Sequence, residues 1–336
     1  MDHPIEEPKD QDPRELGKVE TPWQRLSRNR AAVLSLFILG FMVAAAIIGP
    51  ELVPEGNKET SRNQLQPPSA EYWFGTDLNG RGVLYRVLLG ARVSLTVGII
   101  GAMIAMVIGV GYGMISGYAG GRVDSVMMRV VDVLYAVPRL IVVLILIAVL
   151  DPWLRAQIGS IYLPDGGLRW IHDLLPEGMQ SPSAAGDLIS LSKIMILILA
   201  LGLIEWLTMA RIVRGQVLSI KNKQFVTAAE ALGQHHPRIV LKHILPNILG
   251  VAITYVTLTI PAVILDESFL SFLGLGVQEP LASWGSLLND ARSVINPLES
   301  YWWLLVFPAI AMSLTLLALN FLGDGLRDAF DPKGER

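Results

Sequence analysis

The chain has 336 residues, of which 52% are hydrophobic and only 17% charged, and its mean hydropathy is +0.47. Soluble domains carry about 25% charged residues, so this balance excludes a soluble globular protein and points to a polytopic membrane protein. A net charge of −3 leaves no electrostatic footprint for nucleic acid, and the absence of cysteine excludes a disulfide framework, a thiolate nucleophile and an iron–sulfur site.

The first thirty residues are polar, acidic at the start and basic at Arg25, Arg28 and Arg30. The apolar run that follows arrives too late for a secretory leader, so the first span reads as uncleaved. Thr21 followed by Pro22 has the form of an N-cap and first-turn proline, opening an amphipathic helix at the membrane interface with Trp23 at headgroup depth. Residues 31–50 supply the ~20 apolar residues that a spanning helix needs. Residues 51–92 are polar and are expected outside. A permease-like core of five further spans is expected over residues 93–323, starting with 93–118. There Gly109, Gly113 and Gly117 fall on nearly one face, a spacing that lets helices cross closely. The polar turn GGRVDSVMMRVVD leads to a third span over 130–150, kinked at Pro138. Residues 151–190, rich in Pro, Gly and Asp, are expected as an external loop. The fourth, fifth and sixth spans fall at 191–214, 248–272 and 301–322. A second external loop precedes the sixth, and a polar tail, 324–336, follows it.

Six spans put both termini on one side. With the N-terminal tail inside, inner segments hold twice as many Lys and Arg as outer ones, so both termini and residues 215–247 are expected in the cytoplasm. That last segment is long and basic for a connection. Residues 224–232 string strong helix formers together, Gly233 tolerates the positive φ that closes a helix, and Pro237 opens a second helix through Arg238, Ile239, Leu241 and Leu245. Pro246 marks the return to the bilayer. A short helix showing Phe225, Val226, Ala228, Ala229 and Leu232 to solvent suits docking into another protein's groove; a linker packed beneath its own membrane domain is the alternative. His235 and His236 are expected to be solvated.

Ionisable groups inside spans default to functional hypotheses. Glu205 is expected either to line a pathway or to hold a structural hydrogen bond. Asp266 and Glu267, near the outer end of the fifth span, are candidate vestibule groups. Arg211 and Arg214 are expected to snorkel to the inner surface. The chain carries neither the phosphate-cradling G-x-x-x-x-G-K-[ST] pattern nor H-E-x-x-H or G-x-S-x-G. Energy for transport must therefore come from a partner or a gradient. The internal repeat of many gradient-driven transporters is not found.

Separated segments resemble one family. WFGTDLNGRGVLYRVLLGARVSL resembles the GTDxxGRDxxxRxxxGxRxSL signature of peptide-type ABC importer permeases, with Gly82 where Asp is usual. Ala228 and Ala229, Gly233 and the run His243, Ile244, Leu245, Pro246 resemble their EAA loop, with Thr227 in place of Glu and His243 in place of Ile. SGYAGGRVDSVMMRVVD, MARIVRGQVLSIKNKQF, ESFLSFLGLGVQEPLASWG and FLGDGLRDAFDPK are similar to further segments. The whole is similar to the C-type permease subunit of oligopeptide importers. This resemblance implies an all-α, six-span, type I ABC importer permease fold in a bacterial inner membrane. It implies four partners: a homologous B-type permease subunit, two ABC ATPase subunits that bind ATP and Mg, and an external substrate-binding protein. The cargo implied is oligopeptide, with dipeptides, nickel chelates or other small solutes as the alternative. No catalytic residue, metal or cofactor is assigned to this chain itself. By position, Phe225, Thr227, Ala228, Ala229, Leu232 and Gly233 are the expected ATPase-coupling residues. Gln278, Glu279, Pro280 and Trp284 are the expected surface toward the binding protein.

Overall fold

A computed structural model of the chain describes residues 21–162, 166–172, 176, 181–294 and 299–330. Six of its helices are long and apolar enough to cross a membrane. Helix α1 (Pro22–Arg28) opens on a capping box in which Thr21 Oγ1 accepts from the Gln24 N–H and the Gln24 side chain accepts from the Thr21 N–H. Asn29 caps the first crossing helix, α2 (Arg30–Leu52), by accepting from the N–H groups of Ala31 and Ala32. Residues 1–20, the rest of the expected tail, lie outside the described residues.

The second crossing helix, α3, spans Val83–Ala119, so it starts ten residues before the position expected from hydropathy. The reason lies in its burial pattern. Val83, Arg86, Val87, Gly90, Ala91 and Ser94 are all buried at helical spacing, and Arg86 hides this face from an apolar count. The sequence between α2 and α3 is a folded cap rather than an open segment. Thr76, fully buried, donates to the Asn63 carbonyl and accepts from the Gln66 N–H, while the Trp303 indole donates to the Thr76 carbonyl. At Gly75, φ is +77°, and an added Cβ would meet that indole at 2.8 Å.

The expected turn before the third span is instead an amphipathic helix, α4 (Gly121–Ala136), which breaks at Val137 and Pro138 before α5 (Arg139–Tyr162). The third span thus begins at Arg139 rather than residue 130. Proline disfavours helical geometry at the residue before it, which places the break where a kink was expected. The external loop expected over 151–190 shrinks from both ends. Helix α5 continues to Tyr162 with an Arg155–Asp151 pair at 2.8 Å, and α7 (Pro182–Lys221) begins before the apolar run does. Between them lies the short α6 (Arg169–His172), and residues 163–165, 173–175 and 177–180 lie outside the described residues.

Helices α3 and α7 form the centre of the bundle, and the three in-line glycines are their seam. A Cβ added at Gly109 would lie 2.5 Å from Met209 Cβ, at Gly113 2.5 Å from the Ala210 carbonyl oxygen, and at Gly117 2.8 Å from Val217 Cβ. Helix α8 (Gln224–Ala231) follows α7. Then α9 (His236–Ile239), a π-turn over Val240–Ile244 and α10 (Leu245–Phe272) run on as one rod. The π-turn is the answer to Pro246, which has no N–H to donate. The Leu245 N–H reaches back five residues to Val240, and the rod does not stop. The expected second external loop folds as α11 (Trp284–Ser293), with residues 295–298 outside the described residues. Finally α12 (Trp302–Phe330) extends eight residues beyond the expected end of the sixth span. There Gly325 packs on Ala32 and Leu26, and Ala329 joins their cluster, so the ends of the described chain meet at one end of the bundle. Residues 331–336 of the expected tail lie outside the described residues.

Candidate functional site

Three groups of residues draw attention, and the first is α8. Its C-terminus closes as a Schellman motif: Gly233 has φ +74°, its N–H bonds the Glu230 carbonyl, and the Gln234 N–H bonds the Ala229 carbonyl. The helix has two faces. Val226 and Ala229 are buried with Val213, Val217, Ile220, Ile239 and Ile244, against the end of α7 and the start of the following rod. Phe225, Thr227, Ala228, Leu232 and Gly233 are exposed, Leu232 at 81%. The sequence expectation of an all-exposed apolar set therefore needs correction at Val226 and Ala229, because a helix of eight residues on a bundle turns one side inward. Polar contacts hold α8 in register. The Tyr118 hydroxyl, at the end of α3, meets His236 Nδ1 at 2.7 Å and donates to Glu230 at 3.4 Å, and Lys221 Nζ donates to the Tyr118 carbonyl at 2.6 Å. His243 pairs with Gln234 at 3.1 Å. His236 is exposed, as expected, and also bonds the Tyr118 hydroxyl. These contacts tie α8 and the turn after it to the ends of α3 and α7 and to the rod that continues as α10.

The second group lies between helices. Arg139 donates to Glu205 of α7 at 2.5 Å and to Asp266 of α10 at 2.6 Å, so Glu205 and Asp266, separate in the sequence reading, share one cation. Sequence reasoning misses Arg139, although an arginine inside the expected third span is the signal that finds it. Glu267, one residue on, belongs elsewhere. It is fully buried and accepts from the hydroxyls of Ser94 at 2.9 Å, Ser271 at 2.7 Å and Ser268 at 3.3 Å. The expectation that it faces a vestibule is corrected: successive helical residues point about 100° apart, and this one points into the α3 contact. Arg211 and Arg214, expected to snorkel, are each paired with a carboxylate. Arg211 bonds Asp132 at 2.7 Å and lies over the Tyr135 ring, while Arg214 makes two bonds to Asp124 at 2.5 and 2.6 Å. That bidentate pair, with Ser116 donating to the same carboxylate, holds the Asp124 carboxyl below its ordinary range.

The third group is at the other end of the bundle. Asp77, Arg81, Arg86, Glu279 and Asp290 form a network joining the folded cap to the segment before α11. Arg81 bonds Asp77 at 2.9 Å and Glu279 at 2.5 Å. Arg86, 2% exposed, lies 3.3 Å from Asp290, 3.4 Å from Glu279 and 3.6 Å from Asp77. The Arg81 hydrogen bond lowers the Glu279 carboxyl, and burial raises that of Asp290. Of the four residues expected to face a partner here, Gln278 and Pro280 are exposed and Glu279 is half exposed but committed to the network. Trp284 is fully buried, its indole donating to the Val87 carbonyl at 3.3 Å, and is corrected to a core residue. A tryptophan at the start of an amphipathic helix buries its ring wherever a groove and an acceptor exist.

Helices crossing a membrane, charges held between them and a small protruding helix fastened to three of them define a membrane-embedded transport subunit. The comparisons with known proteins agree. Residues 109–336 match the family described as the binding-protein-dependent transport system inner membrane component, and residues 21–68 match the N-terminal transmembrane domain of oligopeptide transport permease C. The dipeptide transport system permease protein of Bacillus subtilis is 44% identical over 96% of this chain and 88% of its own length. The oligopeptide transport system permease proteins of Haemophilus influenzae and Escherichia coli K12 are 42% and 41% identical over 93% of this chain, covering 88% and 91% of their own lengths. The chain belongs to the binding-protein-dependent transport system inner membrane component family, and is a multi-pass inner-membrane protein.

Proposed function

We propose that this chain is the permease subunit of an ATP-driven importer of peptides, with oligopeptides as the principal cargo. It works with a homologous B-type permease, two ABC ATPase subunits that bind ATP and Mg, and an external binding protein. The observation that carries the coupling role is α8: a small-residue face, flanked by exposed Phe225 and Leu232, on a helix fastened to α3, α7 and α10. In this reading both termini and α8 are cytoplasmic, consistent with the excess of Lys and Arg on that side. ATPase closure pushes α8, the fastened helices move with it, and the pathway changes the side to which it opens. Hydrolysis stays on the partners, and this chain contributes the route. Dipeptide import is the alternative, supported by the similarity to the Bacillus subtilis dipeptide permease.

Leu232→Asp tests the coupling role. The side chain is 81% exposed, so the fold tolerates the change, while a charge enters the apolar contact. Membrane abundance is expected to stay normal while co-purification of the ATPases and peptide-stimulated hydrolysis drop at least tenfold. Normal co-purification and stimulation in the variant would remove α8 from the contact.

A further inference from the structure

Arg139 stands at the first position of α5, just after the break at Val137 and Pro138. Through Nη1 and Nη2 it joins Glu205 and Asp266, so one guanidinium draws α5, α7 and α10 to a single charged centre. Its charges do not balance: one cation faces two carboxylates. Asp266 is 9% exposed, and its Oδ2 has no hydrogen-bond partner among the described residues. A buried acceptor left without a donor is costly, and functional centres are where such cost persists.

The centre is also not sealed, since the Arg139 side chain is 45% exposed. Hydrocarbon is a poor neighbour for that side, because a charged group against lipid is expensive. Further along α7, Arg211 forms another pair with Asp132 of α4, with side chains 43% and 63% exposed. Exposed apolar side chains stand on α2, at Leu34, Phe37, Phe41 and Ile48, and also on α5, at Ile141, Ile145 and Val149, so Arg139 is a charged position on an otherwise apolar exposed face. A charge there is least costly where the face borders water or a second transport subunit rather than lipid.

We propose that Arg139, Glu205 and Asp266 form an electrostatic selectivity centre of the translocation path, whose surplus negative charge favours cationic groups of a passing peptide over anionic ones. The inference rests on the peptide-import reading and adds to it a residue, Arg139, and a rule of preference. It also predicts opposite effects from members of one ion-pair cluster. Removing either carboxylate neutralises the centre, whereas removing the guanidinium doubles its negative charge.

The experiment uses proteoliposomes holding the complete importer, with binding protein saturated by Ala-Lys-Ala or Ala-Glu-Ala, and reads the ratio of their initial uptake rates. Asp266→Asn and Glu205→Gln are each expected to lower the lysine-to-glutamate ratio by on the order of a hundredfold, since one charge across ~10 Å at an effective dielectric constant of about 20 changes each peptide's rate roughly 15-fold and in opposite directions. Arg139→Gln is expected to raise it by a similar factor, and Arg139→Lys to leave it near the wild-type value. Because each ratio is taken within one preparation, reduced abundance of a variant does not mask the result. Ratios that stay constant, or move in one direction for all three neutralising variants, overturn the inference. Failure of the wild-type importer to take up either peptide overturns the peptide reading itself, and this inference with it.

Discussion

The glycine seam between α3 and α7 yields a matched pair of substitutions two residues apart. A Cβ added at Gly113 would lie 2.5 Å from the Ala210 carbonyl oxygen, 2.9 Å from Val213 Cβ and 3.0 Å from the Arg214 nitrogen. Ordinary carbon contacts sit near ~3.5 Å, so the shortfall is about 1 Å. Two of the three atoms are backbone, and no rotamer change moves them. Helix α7 must shift as a whole, and its neighbouring contacts at Gly109 and Gly117 loosen with it. Overpacking costs about 1–3 kcal/mol, and a backbone obstacle puts Gly113→Ala at the upper end. Gly111 lies about 200° around the same helix with nothing within 4 Å of an added Cβ. Gly111→Ala meets no obstacle and gains about 0.5–1 kcal/mol of helix propensity. The propensity gain is common to both variants, so they should differ by the overpacking cost, roughly 3 kcal/mol. Thermal unfolding of the detergent-extracted importer, followed by size exclusion, reads the difference. Gly113→Ala is expected to melt several degrees lower than wild type, and Gly111→Ala at or above it. Equal shifts for the pair would refute the close approach of α3 and α7 as the source of the effect.

Arg86→Ala leaves Asp77, Glu279 and Asp290 facing one another at the buried end of α3, a change of the kind that costs about 3–5 kcal/mol. A sharp fall in membrane abundance is expected, with Glu279→Gln much milder because its side chain is 52% exposed; normal abundance of Arg86→Ala would contradict the network. The Asp124–Arg214 pair predicts a pH dependence. The folded carboxyl titrates below its ordinary value of 3.8, so its stabilisation is present above that value and is lost as pH falls through the lower folded one. Asp124→Asn should remove about 1–3 kcal/mol at neutral pH and flatten that acid limb in thermal melts taken from pH 5 to pH 3. An unchanged limb in the variant would mean that the pair does not contribute.

Hydropathy and local propensity are properties of short stretches, and what depends on them is legible in the sequence. Apolar runs of bilayer length placed six crossing helices, Thr21 and Pro22 marked the start of α1, and Gly233 marked the end of α8 with the positive φ that its backbone adopts. The glycine spacing in α3 announced a close helix contact without naming the partner. Helix ends were misplaced where the rod outlasts its apolar core, at Val83, Tyr162 and Phe330, because hydropathy reports the lipid and not the hydrogen-bond ladder. Inside and outside were also beyond a local count. Val226, Ala229, Trp284 and Glu267 turn inward because of helices that come from elsewhere in the chain. Charge pairing depended most heavily on the fold. Arg139 reaches Glu205 and Asp266 across 66 and 127 residues, and Arg214 reaches Asp124 across 90. Composition fixes how many charges a membrane helix must hide; only the packing of the helices decides which of them meet, since Coulomb attraction acts over a few ångströms and has no memory of sequence distance.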